Sequence, residues 1–460
     1  MKRIVVSSLH PLISRNILQT GLVKRLRAAG AAVFIFCPSY KKHYFTEKFS
    51  GPGVEIIPCD ETTPSAGEVV VREISNGLLR TSTIQLNRRE RLFKNGGRIG
   101  YIFFFILNNF CARSKVAVRF FRFLYRKVLR TAVYDKRLQM IKPDLVFCTD
   151  IFNDEDSRLM LSAKKNNCPC VGMVRSWDNT TNKGILPLIP SMIVVHNKII
   201  GQELVDFHGV SIDHVVVSGI PQFDFYFGYS PATTELFYSR TGFDPGKKII
   251  LFAPTGKKFV DDDWYLLQIL IDGIVSGQIS GHPQVLVRCP PGDEVDLTPV
   301  KFSSLVKVFI DRPGIGFSLA KIKDRELDNE AMYWLADTLF FSDLLISVGS
   351  TLCIDMSVFD KPVICPQISL AGLVYFRSMV KMYDKYHYQY LIRTGGCRLV
   401  TSPTQYLATI QHYLDNPKSD SIGRKILLEQ QCTYSDGRSS HRLARTIIDF
   451  LTTQRPNDDG

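Results

Sequence analysis

Short apolar runs alternate with helical stretches in two separate series along the chain, and that alternation leaves few folds open. Lys2 to Ser7 (KRIVVS), Ala32 to Cys37 (AVFIFC), Pro143 to Cys148 (PDLVFC), Cys170 to Val174, Met192 to Val195 and His214 to Ser218 form the first series. The alternation pauses near Tyr229-Ser230-Pro231 and restarts at Lys247 with Lys248-Ile249-Ile250-Leu251-Phe252-Ala253-Pro254. Runs at Val285 to Arg288, Val306 to Ile310, Leu344 to Val348 and Pro362 to Cys365 follow. Runs this short and this uniformly apolar suit parallel strands buried on both faces, each returning through a helix. A helix from about Ser14 to Ala29, closed by Gly30, would complete an opening βαβ unit. The expected class is therefore α/β. A first domain is expected over 1–232, with an insertion over about 72–134, a second over 233–435, and a C-terminal helix and tail over 436–460. At 460 residues, two domains are the default. Open parallel sheets bind ligands beyond the carboxyl ends of their strands, so the two domains are expected to face a shared cleft.

Composition removes several function classes. With 45% apolar residues and ordinary glycine and proline content, the chain has no fibrous or low-complexity character. MKRIVVSSLHPLISRNIL offers only a brief apolar run before serines and a histidine, so no signal peptide is expected and the location expected is cytoplasmic. Eleven cysteines without a CxxC pair read as reduced, buried thiols, and Cys168-Pro169-Cys170 has the wrong spacing for a zinc knuckle.

The net charge of +13 is concentrated in one place. From Arg72 to Arg130 there are 14 Lys or Arg against Glu73 and Glu90, which gives +12 and leaves +1 for the rest. Ile99 to Leu107 (IGYIFFFIL) is too short to span a bilayer, which takes roughly 20 residues. Helical spacing over Lys115 to Thr131 puts Ala117, Phe120, Phe121, Leu124 and Val128 on one stripe and Lys115, Arg119, Arg122, Arg126 and Arg130 opposite. Two uses are open for 99–131: peripheral contact at an anionic inner membrane face, or a core helix with a solvated cationic side. A basic, aromatic segment also raises a non-enzymatic nucleic-acid binder, but it contains no recognisable RNA or DNA module, and no nucleic acid is expected.

Ser342 to Pro366 compresses strand, small-residue turn, helix and strand into one ligand cradle. Amides at Gly349, Ser350 and Thr351 suit a diphosphate, and Asp355 one turn later suits a ribose or sugar hydroxyl. Thr255, Gly256 and Lys257 follow the first strand of the same domain and offer hydroxyl, amides and ammonium to phosphate; a solvated loop is the alternative. In the first domain, Arg175-Ser176-Trp177-Asp178-Asn179-Thr180-Thr181-Asn182-Lys183 surrounds a tryptophan with polar groups suited to a sugar, though an Asx-turn packed by Trp177 reads equally. Asp150, Asp154, Glu155 and Asp156 suit an acceptor or a helix start better than a cation, and no metal is expected. His10, just beyond the first strand, is the first candidate for a catalytic base, with Asp178 its rival.

Taken together, Arg15-Asn16, Ser176-Trp177-Asp178-Asn179 with Lys183-Gly184, and Ser218-Gly219-Ile220-Pro221-Gln222-Phe223-Asp224 carry a resemblance, as do Gly349-Ser350-Thr351, Phe359-Asp360-Lys361-Pro362, His387-Tyr388 and Asp436-Gly437-Arg438-Ser439-Ser440. In order and spacing they resemble GT-B glycosyltransferases of bacterial surface-polysaccharide synthesis and the related CDP-glycerol glycerophosphotransferases. The resemblance implies two Rossmann-like domains, a nucleotide-sugar donor in the second, a glycan or lipid-linked acceptor in the first, and no cofactor. It gives donor contacts to Thr255, Gly256, Lys257, Arg288, Gly349, Ser350, Thr351, Asp355 and His387, and acceptor contacts to Arg15, Asn16, Trp177, Asn179 and Lys183. Cys289 stands where such relatives often carry a histidine, and a first-loop base like His10 is similar to that of some plant-type GT-B transferases. Transfer of glycerol phosphate, and isomerisation by a UDP-GlcNAc 2-epimerase-like enzyme, are the alternative reactions of the same architecture.

Overall fold

The computed structural model describes residues 1–231, 234–317 and 324–453. The chain divides into two compact units, Met1–Asp224 with Cys432–Gly460, and Phe225–Gln431. The boundary expected at 232/233 lies outside the described residues. The last helix, Ser439–Thr453, belongs to the first unit, where the Asp224 carboxylate accepts the amides of Ser439 and Ser440, each at 2.7 Å. That bond joins two of the motifs singled out in sequence and gives both a structural use.

In the first unit, β1 (Lys2–Ser7), β2 (Ala31–Pro38), β3 (Val54–Cys59), β4 (Leu145–Cys148), β5 (Cys170–Met173), β6 (Met192–Val195) and β7 (Val215–Val217) form a wholly parallel sheet in the order β3-β2-β1-β4-β5-β6-β7. Its central strands are buried along nearly their whole length, which is why they read as unbroken apolar runs. The expected single helix over 14–29 is instead broken into Ile13–Asn16, a 3₁₀ turn at Leu18–Thr20 and Leu22–Ala28, because Gly21 takes a φ of 81°.

The insertion is helical throughout: Ala66–Leu78, Ser82–Asn95, Arg98–Asn109, Lys115–Val128 and Ala132–Ile141. Leu78, Leu79, Ile84, Leu107 and Ile185 give it a small core of its own. Glu68 fastens it to the sheet layer. Its carboxylate closes a capping box with Ser65 and takes Arg158 Nη1 at 2.8 Å from helix Asp154–Lys165, with both partners buried. Arg122 departs from the expected solvated stripe, since its guanidinium reaches the carbonyl oxygens of Leu186 and His208 at 2.9 and 2.5 Å. Burial first, then Arg126 and Arg119, pushes it down to about 10.

The second unit contains β8 (Ile249–Ala253), β9 (Gln284–Arg288), β10 (Val308–Asp311), β13 (Leu344–Ser347), β14 (Val363–Pro366) and β15 (Arg398–Val400), all parallel, in the order β10-β9-β8-β13-β14-β15. A short antiparallel pair, β11 (Ile315–Gly316) and β12 (Arg325–Glu326), stands apart.

Candidate functional site

Each sheet has one place where neighbouring strands send the chain off in opposite directions, and such switch points open a crevice beyond the carboxyl ends of the strands. In the first unit this lies between β1 and β4. The loop after β1 carries His10, the loop after β4 carries Asp150, and the loop after β5 carries Arg175 to Lys183.

These loops converge on Asp150, which is fully buried. Its carboxylate takes Arg175 Nε at 2.7 Å and the Phe152 amide at 3.2 Å, with Asn179 Nδ2 at 3.4 Å and Lys183 Nζ at 3.7 Å. Burial pulls its pKa upward most strongly, but Arg175, Lys183 and His10 together outweigh that and hold it below the usual carboxylate range. Asn179 Oδ1, also buried, has no hydrogen-bond partner.

His10 stands beside this group. Its Nδ1 bonds the Pro11 carbonyl, and because a carbonyl only accepts, Nδ1 carries the proton and the Nε2 lone pair stays available. Burial, followed by the charge of Arg175, lowers the imidazole to about 4 against an opposing pull from Asp150, so the ring is neutral at pH 7. His10 lines a cavity of about 440 Å³ with Arg72, Asn76, Asp154, Asn182 and Lys183.

The rival base is placed differently. Asp178 accepts from Ser176 Oγ at 2.5 Å and lies 3.5 Å from Asn182 Nδ2, both close to it in sequence. Trp177 packs against the sheet core, and Arg15 Nε bonds Asn16 Oδ1 at 2.8 Å on helix Ile13–Asn16, where Asn16 is buried. Neither Arg15 nor Asn16 lines the cavity with His10. The other acids disperse: Asp154 bonds Arg72 and Tyr125, Glu155 bonds Tyr134 and Arg158, and Asp156 accepts from Ser7. Burial above all pushes Asp156 up to about 8. Sequence reasoning did not single out Arg175, although it sits inside the quoted polar loop.

In the second unit the switch point lies between β8 and β13, which brings the two expected donor loops together. Ser347 Oγ donates to the Ala253 carbonyl at 3.2 Å and meets Ser350 Oγ at 2.9 Å. Gly349 has a φ of 56°, and a Cβ there would lie 2.9 Å from the Tyr388 ring, so glycine alone fits. His387 is buried behind it, with its ring 4.5 Å from that of Tyr388.

Several expected donor contacts are engaged otherwise. The Gly349 amide goes to the Ser347 carbonyl at 3.1 Å. Thr351 stands exposed at the start of helix Leu352–Val358. Asp355 is buried and accepts from Tyr226 Oη at 2.7 Å. The Thr255 and Gly256 amides go to the Asp263 carboxylate at 3.0 and 2.6 Å, and the Lys257 amide goes to the Glu294 carbonyl at 2.9 Å. Burial pushes Asp263 up to about 6 against those two amides. Lys257 Nζ is 3.4 Å from Asp296. Arg288 is buried in an ion pair with Asp311 on the adjacent strand β10. A buried carboxylate competes for a backbone amide or a cation as a phosphate would, and one-dimensional spacing carries no sign of it.

Comparison with known proteins adds sequence and fold relationships. Residues 317–449 match the family described as CDP-Glycerol:Poly(glycerophosphate) glycerophosphotransferase. The teichoic acid ribitol-phosphate polymerase TarL of Staphylococcus aureus is 27% identical over 244 residues, which is 52% of this chain and 38% of TarL. The chain thus spans well under half the length of that relative. The UDP co-structure of S. aureus MnaA superposes with a TM-score of 0.58 at 13% identity, covering 100% of both chains. A glycosyltransferase from Rickettsia africae superposes with a TM-score of 0.51 at 11% identity over 98% of each chain. The fold is GT-B, and residues 317–449 are similar in sequence to the CDP-glycerol glycerophosphotransferase family.

Proposed function

We propose that this chain, whose segment 317–449 matches the glycerophosphotransferase family, is a metal-independent GT-B transferase of cell-surface polymer synthesis. It moves a sugar from a nucleotide-diphosphate donor, held at the β8/β13 switch point, to a glycan or lipid-linked acceptor held at the β1/β4 switch point. The observation that carries this reading is the convergence of His10, Asp150, Asn179, Arg175 and Lys183 at the first switch point. Neutral His10 accepts the acceptor hydroxyl proton at Nε2. Lys183 and Arg175, held by Asp150, offer positive charge to an anionic acceptor. In the second unit the exposed Thr351 and half-buried Ser350 are the groups left to meet the donor phosphate.

A second reading is favoured by the family match, in which the group transferred is glycerol or ribitol phosphate from a CDP donor. The 2-epimerase alternative shares only the fold. Thermal-shift measurements with UDP, CDP, GDP and their sugar or alditol-phosphate conjugates separate the donors. The cognate nucleotide at a hundredfold excess over Kd is expected to raise Tm by roughly 5–10 °C. No shift with any nucleotide overturns the transferase reading, and conversion of UDP-GlcNAc without acceptor establishes the isomerase instead.

The insertion serves as the contact with an anionic membrane surface. No helix among the described residues is long and apolar enough to cross a membrane. Helices Arg98–Asn109 and Lys115–Val128 nevertheless leave Ile99 87%, Phe103 51%, Val116 75% and Phe120 55% exposed, as is Phe110 at 70% just after the first, beside the basic residues of the same segment. Isolated exposed apolar residues are ordinary, but a run of them flanked by arginines fits an interface between lipid headgroups and acyl chains. The 460-residue chain is expected to float with phosphatidylglycerol vesicles, and F103E with F120E to reduce the bound fraction at least tenfold. Equal flotation of the variant, or salt-sensitive RNA binding without lipid binding, overturns this use.

A further inference from the structure

Three thiols beneath the Gly349 turn have no part in the proposed transfer. Cys353 lies in helix Leu352–Val358, Cys365 lies in β14, and Cys397 immediately precedes β15. β14 and β15 pair so that Cys365 stands opposite Leu399, two residues beyond Cys397. Their exposures are 0%, 0% and 2%, and their sulfurs lie within 4.8 Å of one another. One or two buried thiols are ordinary small apolar packing.

Here three separate elements, helix Leu352–Val358, β14 and the residue before β15, each bring one sulfur to the same point. The spacing fits a shared ion. Sulfurs bound about 2.3 Å from one metal in a trigonal plane stand about 4 Å apart. Three sulfurs with no oxygen or imidazole among the donors select soft cations and disfavour magnesium, calcium or manganese.

We propose that Cys353, Cys365 and Cys397 bind one thiophilic d10 cation, Cu(I) or Zn(II), through their three sulfurs. Each ligating thiol gives its proton to solvent, and neither metal nor sulfur changes oxidation state. The bound ion ties the first turn of helix Leu352–Val358 to β14 and to the residue preceding β15, so it sets the rigidity of the turn at the β8/β13 switch point. This departs from the expectation of no metal and is independent of the transferase reading, because its readout is metal binding.

The test uses the reduced, metal-free 460-residue chain under anaerobic conditions, titrated with Cu(I) against bicinchoninate and with Zn(II) against a chromophoric chelator. Since the thiols are sealed, each ion is supplied both to the native chain and during refolding from urea. One equivalent of one of the two ions is expected, with affinity at least 100-fold lower in Cys365→Ser. Cys148→Ser, which removes one member of the 3.8 Å Cys148–Cys170 sulfur pair, is expected to leave that affinity unchanged. Should Cys365→Ser fail to fold, X-ray absorption of the loaded native-sequence chain decides, with three sulfurs at about 2.3 Å expected. Retention of neither ion by either route, a shell with fewer than three sulfurs, or loss of binding in Cys148→Ser overturns the site.

Discussion

Replacing His10 with Gln is expected to lower kcat/KM by about 10²- to 10⁴-fold, the usual contribution of a positioned general base, and to leave nucleotide stabilisation in the thermal-shift assay unchanged. Asp178→Asn changes kcat/KM by only a few fold, because its carboxylate is held by Ser176 and Asn182 within its own turn. The pH profile gives an independent check. Burial and Arg175 lower His10 to about 4, so its imidazole is already the free base throughout the neutral range. The His10-dependent rate is therefore level from about pH 5 to 8 and falls only as the pH approaches 4. An inflection near the ordinary histidine value of about 6.5, or a larger loss in Asp178→Asn than in His10→Gln, assigns the base elsewhere.

Removal of the Asp150 carboxylate is expected to be the most damaging single change to the first unit. Asp150→Ala leaves Arg175, with its side chain only 14% exposed, without its anionic partner, and breaking one side of a buried pair costs about 3–5 kcal/mol. Urea unfolding reports this through Trp177 when Trp264 and Trp334, the tryptophans of the second unit, are replaced by Phe. Asp150→Leu with Arg175→Met recovers much of the loss, since both charges leave together. The pH dependence has a definite sign. Asp150 is held below its unfolded value, so its contribution is fully present above about pH 4 and is lost as the pH falls through the lower folded value. A cost below about 1 kcal/mol at neutral pH contradicts a buried, mutually dependent charge cluster.

The central strands were legible because burial on both faces leaves a plain apolar run, as in β1 and β8. The edge strands β3 and β15 escaped the same reading. β3 is only partly buried and carries Glu55 and Pro58, while β15 has three residues and begins on an exposed arginine. Glycine chemistry at Gly21 was a readable sign that the first helix breaks. In the first unit, His10, Asn179 and Lys183 were identifiable by residue type and loop position. Their meeting at Asp150 comes from strand order, which brings together loops far apart in sequence. In the second unit the turn was correctly located, but the use of its amides was not. The Ser347 carbonyl takes the Gly349 N–H and Asp263 takes those of Thr255 and Gly256, groups that a sequence reading leaves to phosphate.

The Asp224 cap on helix Ser439–Thr453 also sets an order of assembly during synthesis. The second unit is one uninterrupted stretch, Phe225–Gln431, whereas the first is completed only by Cys432–Gly460. Domains ordinarily mature from the N-terminus as the chain emerges from the ribosome. Here the later stretch has all of its residues available first, and the earlier sheet waits for residues beyond 431 to emerge before it receives its closing helix.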